Sequence, residues 1–336
     1  MGVHVYVTII FSFVVFGFSG QILAQTSPPI NPSSTTTEGA TSPSSRWSSF
    51  YQYQHRSLLN SQAQIDKDMV PETLTLRTHL LAVDYSLADG WSVEAGVQYL
   101  DMDISLLGNG LAIDAGSRGL SDTELGLVKR FADPQSQLKT RVAISVPTGS
   151  IRQKDSTTIN MGRRGNVTVE RILPYQGQLG SGTYDIIGEV DHKTTFLSQW
   201  VWRNKLKYVG RTGRNDLNYR LGNEGKWISE FNAPVYGKYL TAMVGGTYKR
   251  WGAVTGPNPV LEEMKKSMPF PVELEDLYAK PGERLETYAA LKTGFPMASA
   301  GILAVELGRP LTSYVSGNET ELKTDWYSYI SFISTL

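Results

Sequence analysis

Trp91-Ser92-Val93-Glu94-Ala95-Gly96-Val97-Gln98-Tyr99 sets apolar side chains at 91, 93, 95, 97 and 99 against small or polar ones at 92, 94, 96 and 98. Successive side chains of a strand point to opposite faces, so this alternation reads as a strand with one oily and one polar face. The pattern recurs at Leu138, Thr140, Val142, Ile144 and Val146, which interleave with Lys139, Arg141, Ala143 and Ser145. It recurs again where Thr123, Leu125, Leu127 and Phe131 alternate with Glu124, Gly126 and Arg130, and where Tyr184, Ile186 and Val190 alternate with Asp185, Glu189 and Asp191. Leu285, Ala289, Leu291 and Phe295 against Glu286 and Lys292 form a fifth example.

Working outward from these stretches, the period predicts roughly twelve strands of about ten residues, near the length at which a tilted strand crosses a bilayer. They fall at 46–55, 73–86, 91–103, 121–132, 137–147, 183–193, 195–206, 218–231, 237–252, 284–295, 300–309 and 324–336. The connections then alternate. Those at 87–90, 132–136, around Lys193-Thr194, 232–236 and 296–299 are short. Those at 56–72, 104–120, 148–182, 208–215, 253–282 and 309–323 are long and rich in Gly, Pro and Asn. Tight turns on one side and long loops on the other are the signature of an up-and-down barrel in an outer membrane. A soluble two-sheet sandwich carries the same period and is the competing reading. Against it stand the dense charge on the polar face and the Trp and Tyr near strand ends, where amphipathic rings would meet lipid headgroups. Trp91 and Tyr99 lie ~26 Å apart along an extended strand, enough to approach both interfaces. In hydrocarbon every backbone polar group needs a partner within the protein, so such a sheet must close on itself. The expected fold class is therefore all-β, a closed antiparallel up-and-down transmembrane barrel of about twelve strands.

Composition narrows the function. Among 336 residues, 32 Lys+Arg balance 32 Asp+Glu, so the chain lacks the basic field that a nucleic-acid partner would need. There is no Cys, which excludes disulfides, thiolate metal sites, thiol catalysis and a lipidated Cys. Only 19% of residues are charged, below the roughly 25% of soluble domains.

The apolar run at 5–18, followed by Ile22-Leu23-Ala24, has the layout of a secretory signal over 1–24, although no Lys or Arg precedes it. Residues 25–45, rich in Ser, Thr and Pro, carry too little apolar surface to offset the entropy of ordering and read as a disordered leader. The barrel is assigned to 46–336.

Three blocks in the first half of the barrel resemble a known family: Ser121-Asp122-Thr123-Glu124-Leu125-Gly126-Leu127; Val146-Pro147-Thr148-Gly149-Ser150; and Leu173-Pro174-Tyr175 with Leu179-Gly180-Ser181-Gly182-Thr183-Tyr184-Asp185. The tail from Leu303 to Pro310, with Glu321-Leu322-Lys323-Thr324-Asp325-Trp326, is similar to the closing hairpin of the same family. That family is the MetA-pathway of phenol degradation group of outer-membrane transporter-like β-barrels. The resemblance runs from about Trp47 to the end and is weakest between 199 and 283. It implies a barrel in a Gram-negative outer membrane, inserted by the outer-membrane assembly machinery and passing small, often hydrophobic molecules. A departure is the last residue, Leu336, where such barrels end in an aromatic; Trp326, Ile330 and Phe332 share one face of the last strand.

If the oily faces meet lipid, Lys139, Arg141, Asp185, Glu189, Asp191, Arg203, Arg220 and Glu224 line the lumen. A basic ladder (Lys139, Arg141) then faces an acidic one (Asp185, Glu189, Asp191). This is either a transverse field that orients solutes or a set of ion pairs that fills the interior. Pro147, Gly149, Gly180 and Gly182 bracket the longest loop and mark it as a candidate gate; the plainer alternative is that they only turn the chain. Short amphipathic runs at 260–266 and 274–277 suggest surface helical turns. His55, His79 and His192 stand beside no recognisable nucleophile motif, and neither a phosphate loop nor His-Glu-x-x-His is present. Asp101 and Asp103 could hold Ca²⁺ or simply end a strand. The reading is a channel without catalysis or cofactor, its partners membrane lipid, a small solute and the assembly machinery, with no nucleic acid. The alternative is a non-transporting scaffold or adhesin acting through its long loops.

Overall fold

A computed structural model describes residues 46–60, 70–108, 111–160, 166–173, 175–196, 199–236, 240–258, 262, 279–297, 301–316 and 322–335. The signal and leader assignments, most of the 253–282 loop with its amphipathic runs, and Leu336 lie outside them.

Fifteen strands are present among these residues: β1 (Trp47–Asn60), β2 (Val70–Ser86), β3 (Trp91–Gly108), β4 (Leu111–Leu120), β5 (Thr123–Ala132), β6 (Ser136–Val146), β7 (Lys154–Asn160), β8 (Asn166–Ile172), β9 (Asp185–Phe196), β10 (Trp200–Arg211), β11 (Glu224–Tyr236), β12 (Leu240–Trp251), β13 (Gly282–Pro296), β14 (Ile302–Ser316) and β15 (Leu322–Thr335). All pairings are antiparallel, and the ring closes because β1 joins both β2 and β15 while β2 also pairs with β3. Two consecutive short strands serve as one stave: β4 pairs with the far half of β3 (Tyr99–Gly108) and β5 with its near half (Trp91–Gly96). The break between them falls at Ser121-Asp122. Setting aside the separate β7–β8 hairpin, the wall has twelve staves.

The alternation read from sequence sorts inside from outside. On β6, Lys139, Arg141, Ala143 and Ser145 are buried whereas Val142 and Ile144 are 65% and 52% exposed. Trp91, Val93 and Tyr99 on β3, Leu125, Leu127 and Phe131 on β5, and Trp202, Leu206 and Tyr208 on β10 likewise face outward. A continuous apolar exterior on a closed sheet is the surface that hydrocarbon requires, and it is incompatible with a sandwich, whose oily faces would be buried against each other.

Several boundaries differ from expectation. The turn placed at Lys193-Thr194 falls instead beyond Phe196, because β9 and β10 continue in register to Phe196↔Trp200. Residues 232–236 belong to β11 and not to a turn. The 104–120 stretch is a β-hairpin, with β3 and β4 paired out to Gly108↔Leu111, and 148–182 contains the β7–β8 hairpin. Strands thus outrun the bilayer-crossing length where their ladders continue beyond the membrane, which a length rule based on lipid thickness does not capture.

One ladder is incomplete. β14 and β15 pair from Ile302↔Ile333 to Gly308↔Tyr327, and beyond that point, among the described residues, β14 continues only with β13 and β15 only with β1. The seam begins beside Pro310, which has no N–H to offer a ladder. Register shifts near Pro310 and near Asp325 splay the two strands further.

Candidate functional site

The interior has two walls. Along β1–β3 it carries two apolar clusters, Leu58, Leu74, Leu76, Leu100 and Met102 in one and Phe50, Leu80 and Ala82 in the other, beside the buried polar side chains of Gln52, Gln54, Thr78, Glu94 and Gln98. These apolar clusters depart from the charged inner face that the alternation predicts.

Along β5–β13 the interior is ionic. In register, Lys139 stands opposite Asp191 and Arg141 opposite Glu189, so the basic and acidic ladders are neighbours. Their shortest bonds nevertheless go elsewhere. Lys139 and Arg141 share Glu94 at 3.1 and 2.9 Å, and Arg141 also reaches Glu124 at 2.8 Å, to which Lys207 adds 3.2 Å. Glu189 takes Lys205 at 2.9 Å, and Asp185 takes Arg211. Asp191 accepts two parallel bonds from Arg203, at 2.9 and 2.6 Å, while Arg203 extends to Glu230 at 3.3 Å. Glu224 pairs with Lys249 at 2.7 Å, and Glu286 binds both Arg56 and Arg284. Removing such charges from water costs several kcal/mol each, so a buried ion survives only with its counter-ion and hydrogen bonds in place. The network joins strands across the lumen as well as neighbours, as Lys207 on β10 to Glu124 on β5 demonstrates.

Of the eight charged candidates, seven are buried on inner-facing strand positions. Arg220 is not among them. It lies ahead of β11, half-buried, in an isolated bridge to Thr255. The 218–231 strand was placed too early because Asn218, which adopts a left-handed φ of 63°, ends the alternation there.

At the loop end of the barrel, the family-like blocks converge. Asp122, in the break between β4 and β5, accepts hydrogen bonds from the backbone N–H of Gly149 (3.0 Å), the backbone N–H of Ser181 (2.7 Å) and the Ser181 hydroxyl (2.8 Å). Thr148 bonds the Ser121 carbonyl through its hydroxyl and receives the Thr123 N–H. The N–H groups of Leu179 and Gly180 both point at the Ser150 carbonyl. Asn215, from the β10–β11 connection, donates to the Ser181 carbonyl at 3.0 Å. Burial drives the Asp122 carboxyl above the usual carboxylate range, against the lowering effect of the donors from Ser181 and Gly149. Burial also pushes the Tyr219 phenol up to about 12; its ring packs on Tyr175 with centroids 4.7 Å apart.

All three glycines marked as a candidate gate are obligatory here: Gly182 adopts a left-handed φ of 69°, and a Cβ on it would sit 2.7 Å from Asn215 Cβ. A Cβ on Gly180 would sit 2.3 Å from Asp122 Oδ1, and one on Gly149 would sit 2.8 Å from Gly180 Cα. Leu179, immediately before Gly180, drops into the apolar cluster of β1–β3, so the segment folds into the mouth and is anchored on both sides. Below this clasp, Glu94, Glu124, Arg141, Asp185 and Arg211 border a cavity of ≈ 30 Å³, room for about two waters. Asp122 stood inside a quoted motif but was given no role; only its proximity to residues 27 and 59 positions away reveals one.

The remaining candidates have structural partners. Asp101 and Asp103 bind Arg77 and Arg118. His79 meets the Tyr51 hydroxyl at 2.8 Å, His55 stacks on Trp326, and His192 lies 2.9 Å from the Ser136 hydroxyl on the outer face beside a turn. No group of three or more His, Asp or Glu is placed to hold a metal ion among the described residues.

No family model matches the chain, and no curated protein does either. Solved structures do. An outer membrane channel from Pseudomonas putida F1 superimposes with a TM-score of 0.55 at 13% identity, covering 91% of this chain and 100% of that one. The β domain of the Bordetella autotransporter Brka and the translocator domain of the autotransporter NalP from Neisseria meningitidis each give a TM-score of 0.47 at 10% identity. They cover 87% and 89% of this chain and 100% and 90% of their own. The architecture is that of an outer-membrane β-barrel. At these identities the likeness concerns fold alone.

Proposed function

We propose that the protein is a channel of the Gram-negative outer membrane through which small molecules, hydrophobic or aromatic ones among them, pass by diffusion, without catalysis or cofactor. The observation that carries this reading is the loop that closes on Asp122: a segment folded into the mouth of a lipid-exposed barrel and held by one buried carboxylate is built to control access to the interior. Selectivity then arises from the lumen charges and from the constriction framed by Pro147, Gly149, Gly180 and Gly182. The convergence of three family-like blocks on this clasp supports membership of the phenol-degradation transporter group, with insertion by the assembly machinery.

Purified, folded protein in a planar bilayer tests the proposal. Discrete conductance steps that increase in open probability when Asp122→Ala releases the loop are expected. A folded barrel that neither conducts nor permits solute swelling in either form belongs instead to the second reading, a surface scaffold acting through its loops.

A further inference from the structure

Most inward-facing charges among the described residues have a counter-ion within 4.0 Å; Glu306 and three lysines do not. Lys193 on β9, Lys226 on β11 and Lys292 on β13 occupy inner positions and are only half-buried, and among the described residues no carboxylate lies within 4.0 Å of any of them. Glu306 stands opposite Lys292 on β14 and attracts it, without closing to within 4.0 Å. Lys226 stands between Lys207 and Lys249 in register, two positions into β11 from the loop end, and the carboxylates nearby are committed: Glu224 to Lys249 and Glu124 to Arg141 and Lys207. Lys193 and Lys292 lie near the opposite, turn end of their strands. An ammonium group in this position keeps its donors open to an anion, because the carboxylates that attract it stay beyond 4.0 Å or are bonded to other cations.

Along β13 the surface next to Lys292 turns apolar. Ala290, two residues away on the same face, packs with Met243 and Tyr327, and Tyr288 lies against this cluster. From these juxtapositions we infer that the lumen recognises small organic anions with an apolar body, such as aromatic monocarboxylates. Lys226 receives the carboxylate at the loop end, and Lys193 and Lys292 hold it at the turn end while Met243, Ala290 and Tyr327 cover the hydrocarbon part. The ion pairs between these stations, Arg203 with Asp191 and Lys205 with Glu189, are internally neutralised and compete little for it. The inference rests on the channel reading and specifies what that channel selects.

Two measurements on the full barrel keep the two apart. In a planar bilayer under a KCl gradient, the reversal potential should show preference for Cl⁻, reduced about threefold or more in permeability ratio by Lys226→Gln and by Lys292→Gln and retained by Lys226→Arg. By calorimetry in detergent, benzoate should bind, benzyl alcohol should not, and Lys292→Gln should weaken benzoate about fivefold or more, with heat-modifiable migration confirming that each variant is folded. A conducting channel that is cation-selective, or whose selectivity and benzoate affinity ignore the lysines, overturns the inference and leaves the channel reading standing. A barrel that binds benzoate through Lys292 but never conducts upholds the anion site and overturns the channel. Neither conductance nor binding overturns both.

Discussion

Asp122 and Ser181 lie 59 residues apart in sequence, yet one carboxylate oxygen of the first accepts both the backbone N–H and the side-chain hydroxyl of the second, at 2.7 and 2.8 Å. Together with the Gly149 N–H on the other oxygen, this ties the strand break to both ends of the longest loop. Replacing the carboxylate strands buried donors, and each such loss costs about 1–3 kcal/mol.

Asp122→Ala should therefore release the loop without unfolding the barrel. Trypsin at Arg152 and Lys154 is expected to cut the variant at least about tenfold faster than the native protein, while the band that migrates as folded barrel in SDS persists. Equal cleavage rates would mean that the clasp contributes nothing to loop closure.

Gly180→Ala should reproduce that phenotype. Its Cβ would lie 2.3 Å from Asp122 Oδ1 and 2.8 Å from the Gly149 carbonyl oxygen, with backbone on one side and a bonded carboxylate on the other, so neither can yield cheaply. Gly213→Ala, where a Cβ meets nothing within 4 Å, is the matched control and should leave proteolysis unchanged.

The Arg203–Asp191 pair, bidentate and buried, predicts a non-additive pair of substitutions. Asp191→Asn or Arg203→Met alone should destabilise the barrel by about 3–5 kcal/mol, because each breaks a buried pair, whereas the double variant should lose clearly less than the sum of the two, with Glu230 still deprived of Arg203. Urea unfolding in lipid vesicles measures it. Additive losses would rule out direct coupling.

Val142, outward and near the middle of β6, tests which medium the exterior meets. Val142→Arg should cost about 2–4 kcal/mol in a bilayer, as expected for a cation at hydrocarbon depth. On a water-facing strand the same change would fall within about 0.5 kcal/mol. Vesicle refolding yields distinguish the two.

The half-open seam between β14 and β15 should be visible in hydrogen exchange. Amides of Leu311–Ser316 that point toward β15 have no ladder partner there, so they should exchange markedly faster than those of Leu303–Leu307, where the ladder is intact. Uniform protection along β14 would show that the ladder closes in the membrane.

The fold was legible before any coordinates because a barrel wall writes itself locally. Each side chain of β3 or β6 faces lipid or lumen according to whether its position is odd or even, and that choice is repeated within every ten residues, so Trp91, Val93 and Val142 announce their side without knowledge of their neighbours. The staves, the alternation of turns and loops, and the inward direction of Lys139, Arg141, Glu189 and Asp191 all follow from this short-range rule. Partner identity does not. Glu94 rather than Asp191 receives Lys139, Lys207 crosses the lumen to Glu124, and Asp122 gathers Gly149 and Ser181, because these contacts depend on strand stagger around a closed ring and on the path of a long loop, and neither leaves a periodic trace in the chain. The apolar clusters of β1–β3 and the three lysines without a contacting carboxylate belong to the same category: they are properties of how the cylinder closes, expressed only when residues distant in the chain are brought to the same height inside it.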